Sequence, residues 1–105
     1  MRVLVLGATG FIGGQIARAA HKTGMDVRGL RRQAGAFGAV GDLPVEWIDG
    51  SLEDAAALRE AMQDCEVVFH AAGYAPYATR RIPHAVREAV TQMRAVLGAA
   101  QAMGV

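Results

Sequence analysis

A single cysteine, Cys65, excludes an internal disulfide framework in this 105-residue chain. The three histidines, His21, His70 and His84, are scattered, so no Cys/His cluster has the spacing of a structural zinc site. No apolar run approaches the roughly 18 residues of a membrane span. The first eight residues read as a strand and lack the long apolar core of a signal peptide. Lysine and arginine number 11 against 10 acidic residues, and a formal net charge of +1 creates no demand for nucleic acid or a membrane surface. Repeats, low-complexity tracts and linkers are missing too. The expectation is one cytoplasmic globular domain with little weight on thiol or metal chemistry.

What is present is glycine and a regular alternation of apolar runs with helical patterns. Residues 2–7, RVLVLG, form a β-branched and leucine run of the kind buried on both faces of a sheet. Phe11 to about Thr23 reads as a helix, with Ile12, Ile16, Ala19 and Ala20 at helical spacing and Gly24 as its cap. Val27 to Arg31 reads as a second strand, and residues 33–44 as a glycine-containing loop or poorly formed helix. Val45 to Ile48 gives a third strand and Glu66 to Ala71 a fourth. Between them, Ser51-Leu52-Glu53-Asp54 resembles a capping box for a helix to about Gln63. Pro83 opens a long helix whose apolar stripe is Val86, Ala89, Val90, Met93, Val96, Leu97, Ala100 and Met103, and Gly104 caps it. Strands alternating with helices predict an α/β fold: the amino-terminal half of a Rossmann-type, doubly wound parallel sheet.

The stretch Gly7-Ala8-Thr9-Gly10-Phe11-Ile12-Gly13 lies where the first strand turns into the first helix. Gly7 permits backbone angles closed to other residues, Gly10 leaves room for a pyrophosphate, and Gly13 lets helix and strand approach closely. The helix amides and dipole then face the phosphates. A tight turn with no ligand is the plainer alternative, but the strand-to-helix context favours a dinucleotide site. At the end of the second strand, where an acid would bind the ribose hydroxyls, stand Arg31 and Arg32. Guanidinium groups suit phosphate oxygens, so the expected cofactor is NADP(H), with NAD(H) the alternative. The plainer reading of the pair is a solvated strand end. Arg28 reads as a surface residue.

VLVLGATGFIG and CEVVFHAAGY, together with the ending AVLGAAQAMGV, resemble the short-chain dehydrogenase/reductase superfamily, in its extended NAD(P)-dependent epimerase/dehydratase branch. The resemblance covers the whole chain but only the first third or so of a typical member. It implies that Gly7, Thr9, Gly10, Phe11, Ile12 and Gly13 surround the pyrophosphate and that Arg31 and Arg32 take the 2′-phosphate side. It further implies Ala71, Ala72 and Gly73 along the adenosine-to-nicotinamide stretch, and Ser51 and Leu52 near the adenine. The family's GDL after strand three appears here as Gly50-Ser51-Leu52, so a serine replaces the acid expected near the adenine amino group. Ala89 stands where relatives commonly carry an asparagine.

Family members use a tyrosine with a lysine four residues on; here the only lysine is Lys22, and no catalytic pair is present. The implied reading is an NAD(P)-binding domain over residues 1–105, truncated before a fifth strand. Its small-molecule substrate would be a carbonyl compound or a sugar nucleotide. A non-catalytic NADP(H) sensor and a half-domain completing its sheet as a homodimer are the alternatives. His70 reads as a packed, hydrogen-bonded core histidine and Cys65 as a small buried hydrophobe. Trp47 reads as sheet core. Tyr74 and Tyr77 suit either a substrate-facing loop or plain packing, and Arg80 and Arg81 a solvated helix entry.

Overall fold

The computed structural model describes residues 1–32, 34–72 and 82–105. In chain order the elements are β1 (Arg2–Leu6), α1 (Phe11–Lys22), β2 (Asp26–Arg31) and a short 3-10 turn at Gly38–Val40. They continue with β3 (Glu46–Asp49), α2 (Ala55–Met62), β4 (Val67–His70) and α3 (Ile82–Met103). All strand pairs are parallel and the sheet order is β3-β2-β1-β4. The doubly wound fold expected from the alternation is therefore present.

Successive residues of β1 point to opposite faces and build two cores. Leu4 and Leu6 join Leu30, Leu58, Met62 and Val96 under α2 and α3. Val3 and Val5 join Ala8, Ala17, Ala20 and Val27 under α1. Both inner strands, β1 and β2, are buried along most of their length, while the edge strands β3 and β4 are half-buried. For that reason β4, whose apolar run reads like a buried strand, leaves Phe69 36% exposed.

Four local expectations change. The inward face of α1 is Gly13, Gly14, Ala17 and Ala20, not the stripe containing Ile12 and Ala19, which face outward. Small residues win because the helix lies too close to β1 for larger ones. The cap of α2 is Asp54, whose carboxylate accepts from the Ala57 amide at 3.1 Å, so Ser51 belongs to the preceding turn. Among the described side chains of α3 only Val96 and Ala99 are buried, and Val86, Val90, Met93 and Leu97 are exposed. One packed partner, α2, is too narrow to cover the whole stripe.

The fourth change is Arg28, which is 6% exposed. Its Nη1 donates to the carbonyls of Ala61 at 2.9 Å and Gln63 at 2.7 Å, at the carboxyl end of α2. Nε lies 3.3 Å from the Glu46 carboxylate, close enough to pair its charge but without hydrogen-bond geometry. A cation fits there because the last carbonyls of a helix lack intrahelical donors and carry partial negative charge. Arg28→Met keeps the apolar stem and removes the donors. It is expected to cost about 2 kcal/mol, read as a lower urea midpoint at unchanged slope. An unchanged midpoint would mean that water replaces the guanidinium without loss.

Candidate functional site

From β1 the chain moves outward through β2 to β3, then returns to place β4 on the other side of β1. The carboxyl ends of β1 and β4 thus flank a topological switch point, where open α/β sheets hold their ligands. The glycine turn sits at this point. Gly7 has φ +87°, and a Cβ there would lie 2.8 Å from the backbone of Ala71 and Ala72. A Cβ on Gly13 would collide with the Gly7 carbonyl oxygen. Both glycines are demanded by the protein's own packing.

Gly10 is different. Its backbone, φ −88° and ψ 174°, suits any residue, and a Cβ would meet only the Gly7 oxygen, at 3.3 Å. That single contact is tight, and the sequence keeps the ground in front of α1 clear of a side chain at this position. Gly10 is also the N-cap of α1, without a side-chain cap and without an acidic residue in the first turn. Uncapped first-turn amides, reinforced by the helix dipole, form an anion-binding surface.

Beside this turn lies a cleft of about 410 Å³ at the carboxyl end of the sheet. Leu6 at the end of β1 lines it with Gly7 and Thr9 of the following turn, and Leu30 and Arg31 of β2 line it with Arg32 just beyond. Gly50, Leu52 and Glu53 follow β3, Ala72 follows β4, and Gln92 reaches in from α3.

Arg31 is held on three sides. Its Nε donates to Asp49 Oδ1 at 2.8 Å, and its guanidinium lies 5.1 Å from the Phe37 ring centre and 5.3 Å from that of Trp47. Its Nη1 is buried without a hydrogen-bond partner among the described residues. A buried guanidinium donor without an acceptor is costly, and none of the described residues supplies one to Nη1. Arg32 is exposed on the same cleft. Clear ground at Gly10, free helix amides, the guanidinium groups of Arg31 and Arg32 and the apolar Leu30 and Leu52 together fit a dinucleotide.

Among the residues singled out from sequence, Gly7, Thr9, Arg31, Arg32, Leu52 and Ala72 share the cleft. Gly10, Phe11 and Ile12 form the helix entry beside it, with Phe11 and Ile12 exposed, and Gly13 is buried beneath them. Ser51 and Ala71 are half-buried and do not line the cleft. Gly73, Tyr74, Tyr77, Arg80 and Arg81 lie outside the described residues. Glu53 and Gln92 are additions: they meet across 39 positions of sequence, a contact that neither the capping-box pattern around Glu53 nor the apolar stripe of α3 marks.

His70, at the carboxyl end of β4, is half-buried, and burial lowers its imidazole pKa. Packing is as expected, but its buried Nδ1 has no hydrogen-bond partner among the described residues. Cys65 is buried between α2 and β4, donates to the Ala61 carbonyl at 3.3 Å, and has its thiol pKa raised by burial. A thiol held protonated in this way is a packing group. Trp47 is half-buried, edge-on to Phe37 at 6.3 Å. Among the described residues there is no group of three potential metal ligands, and no helix is long and apolar enough to cross a membrane.

A ketoreductase of Stigmatella aurantiaca, named for a 4-hydroxy-2-methyl-3-oxo-4-farnesyl-3,4-dihydroquinoline-1-oxide substrate, is 39% identical over 72 residues, 69% of this chain and 22% of that protein. The solved structure of the Thermus thermophilus UDP-glucose 4-epimerase in complex with NAD matches with a TM-score of 0.82 and 27% identity. That match covers 100% of this chain and 35% of the epimerase. A short-chain dehydrogenase/reductase superfamily protein from Agrobacterium tumefaciens with bound NAD matches at TM-score 0.75 and 28% identity, over 100% of this chain and 30% of the other. The chain spans between 22% and 33% of the length of the curated relatives it matches. The model of the NAD dependent epimerase/dehydratase family matches residues 3–105, and the chain belongs to that family.

Proposed function

We propose that this chain is the dinucleotide-binding part of an oxidoreductase, epimerase or dehydratase that works by hydride transfer on a carbonyl compound or a sugar nucleotide, with NADP(H) preferred. The reaction class follows from the family and from the ketoreductase and epimerase named among its relatives. When bound, the nicotinamide supplies the hydride chemistry. This chain's residues bind and orient. The first-turn amides of α1 take the pyrophosphate over the clear ground at Gly10, with Gly7, Thr9 and Gly13 shaping the turn. Arg32 and the Arg31 guanidinium take the 2′-phosphate, and Ala72 continues the path from adenosine towards nicotinamide.

The observation that carries the NADP(H) preference is that the Arg31 guanidinium and the exposed Arg32 line one cleft. Asp49, whose carboxylate Arg31 Nε engages at 2.8 Å, is charge-paired, which lessens its repulsion of a 2′-phosphate. Titration of the chain with NADPH and NADH tests it. NADPH is expected to bind at least about tenfold tighter, and Arg32→Ala to lower NADPH affinity about tenfold while leaving NADH affinity within about twofold. Equal affinities in the unsubstituted chain would refute the preference.

A further inference from the structure

Arg31 ends β2 against two aromatic rings that come from different places in the chain. Phe37 precedes the 3-10 turn at Gly38–Val40, and Trp47 stands in β3 beside β2. The guanidinium carbon lies 5.1 Å from the Phe37 ring centre and 5.3 Å from that of Trp47, and the two ring planes meet at 67°. With their centres 6.3 Å apart, the rings form a corner around the guanidinium, while Asp49 accepts from its Nε.

Both walls of the corner are fixed by contacts of their own. Gly29 and Arg31 are two apart in β2 and share a face, and Gly29 is the register partner of Trp47. A Cβ on Gly29 would lie 2.6 Å from the indole Cζ3, so the ring rests on bare backbone. Glycine inside a strand marks such a close approach. The turn beside Phe37 is pinned three times. Val40 is buried in the core under α1, and a Cβ on Gly38 would collide with the Thr9 carbonyl. Arg18 of α1 donates to both Asp42 carboxylate oxygens, at 2.9 and 3.0 Å, and to the Ala39 carbonyl at 2.9 Å.

We propose that Phe37 and Trp47 are positioning residues that hold the Arg31 guanidinium ready for the 2′-phosphate, with Gly29 part of the same device because it seats Trp47. The proposal rests on the dinucleotide reading above. A loose arginine loses rotamer freedom when it binds a phosphate; one already held loses less, and the difference appears as affinity. Neither ring lines the cleft, so both act through Arg31. NAD⁺ has no 2′-phosphate to engage that guanidinium, and the corner therefore acts on the choice between the two cofactors. Trp47 is the only tryptophan of the chain, and its emission responds to the charge held against its ring.

The test titrates the full chain with NADP⁺ and NAD⁺, reading affinity and Trp47 emission together. Saturating NADP⁺ is expected to change the emission, and saturating NAD⁺ to leave it nearly unchanged. Phe37→Leu lowers the preference for NADP⁺ about three- to fivefold, the scale of one cation–π contact, and leaves NAD⁺ affinity within about twofold. Phe37→Tyr, which keeps the ring, restores the preference. Gly29→Ala pushes the indole off its seat, lowers the preference to a similar degree and shrinks the emission change. A chain that prefers NADP⁺ and keeps that full preference in both Phe37→Leu and Gly29→Ala overturns the proposal and leaves the phosphate reading standing. Equal losses of NADP⁺ and NAD⁺ affinity in both variants, or an equal emission change with either cofactor, overturn it too. Equal affinity of the unsubstituted chain for the two cofactors removes both readings.

Discussion

Gly13→Val is expected to destroy the cooperative fold. Its Cβ alone would already overlap the Gly7 carbonyl oxygen, and the branched methyls add to the clash. Relief requires α1 to lift from β1. That movement opens the layer of Val3, Val5, Ala8, Ala17 and Ala20, all of them buried. Gly7 cannot yield instead, because its φ of +87° and its packing on Ala71 and Ala72 fix the carbonyl. Backbone overlap in a core of this size is expected to cost more than about 4 kcal/mol, a large part of the total stability of a domain this small. Thermal unfolding followed by circular dichroism checks this: loss of the sigmoidal transition is expected, and a melt like that of the unsubstituted chain would contradict the packing argument.

Gly10→Val is expected to give the opposite result, a folded chain that binds no dinucleotide. The backbone at position 10 is extended and suits a β-branched residue, and the added Cβ makes one tight contact, 3.3 Å from the Gly7 oxygen, against the outright overlap at Gly13. The variant should lose about 1–2 kcal/mol through the tight approach to the fixed Gly7 oxygen and stay folded, since Gly10 provides no side-chain cap to lose. Binding is another matter. The isopropyl group stands before the first-turn amides of α1, where the pyrophosphate has to approach the backbone. NADPH and NADH affinities should both fall by at least about a hundredfold, because several charge-assisted hydrogen bonds are lost together. Retained affinity in the folded variant would show that the phosphates bind elsewhere. Together the two substitutions separate the glycine the fold needs from the glycine the ligand needs, a distinction invisible in the spacing G-x-x-G-x-x-G.

Much of the architecture is legible in the sequence because parallel strands buried on both faces leave unbroken apolar runs, as VLVL does in β1. The same signal overstates β4, since an apolar run does not say whether a strand is inner or edge. Periodicity misplaces the inner face of α1 because glycines and alanines, the residues that face β1, carry weak hydrophobic weight. Arg28 reads as surface because the carboxyl end of α2, which it caps, begins more than 30 residues further on. For the site, the residues of the glycine turn and Arg31-Arg32 are local motifs and readable. The immobilisation of Arg31 by Asp49, Phe37 and Trp47 and the meeting of Glu53 with Gln92 are long-range contacts, set by how strands and helices assemble.

The central claim is that the carboxyl edge of this sheet is a phosphate-reading dinucleotide site. Hydrogen exchange of the chain, followed residue by residue with and without saturating NADPH, tests it most directly. The account predicts saturable protection of the amides at residues 11–13 and slower exchange around residues 30–32 and 50–53, with the exposed face of α3 from Val86 to Leu97 unchanged. Protection confined to that face of α3, or no saturable protection anywhere, would contradict it.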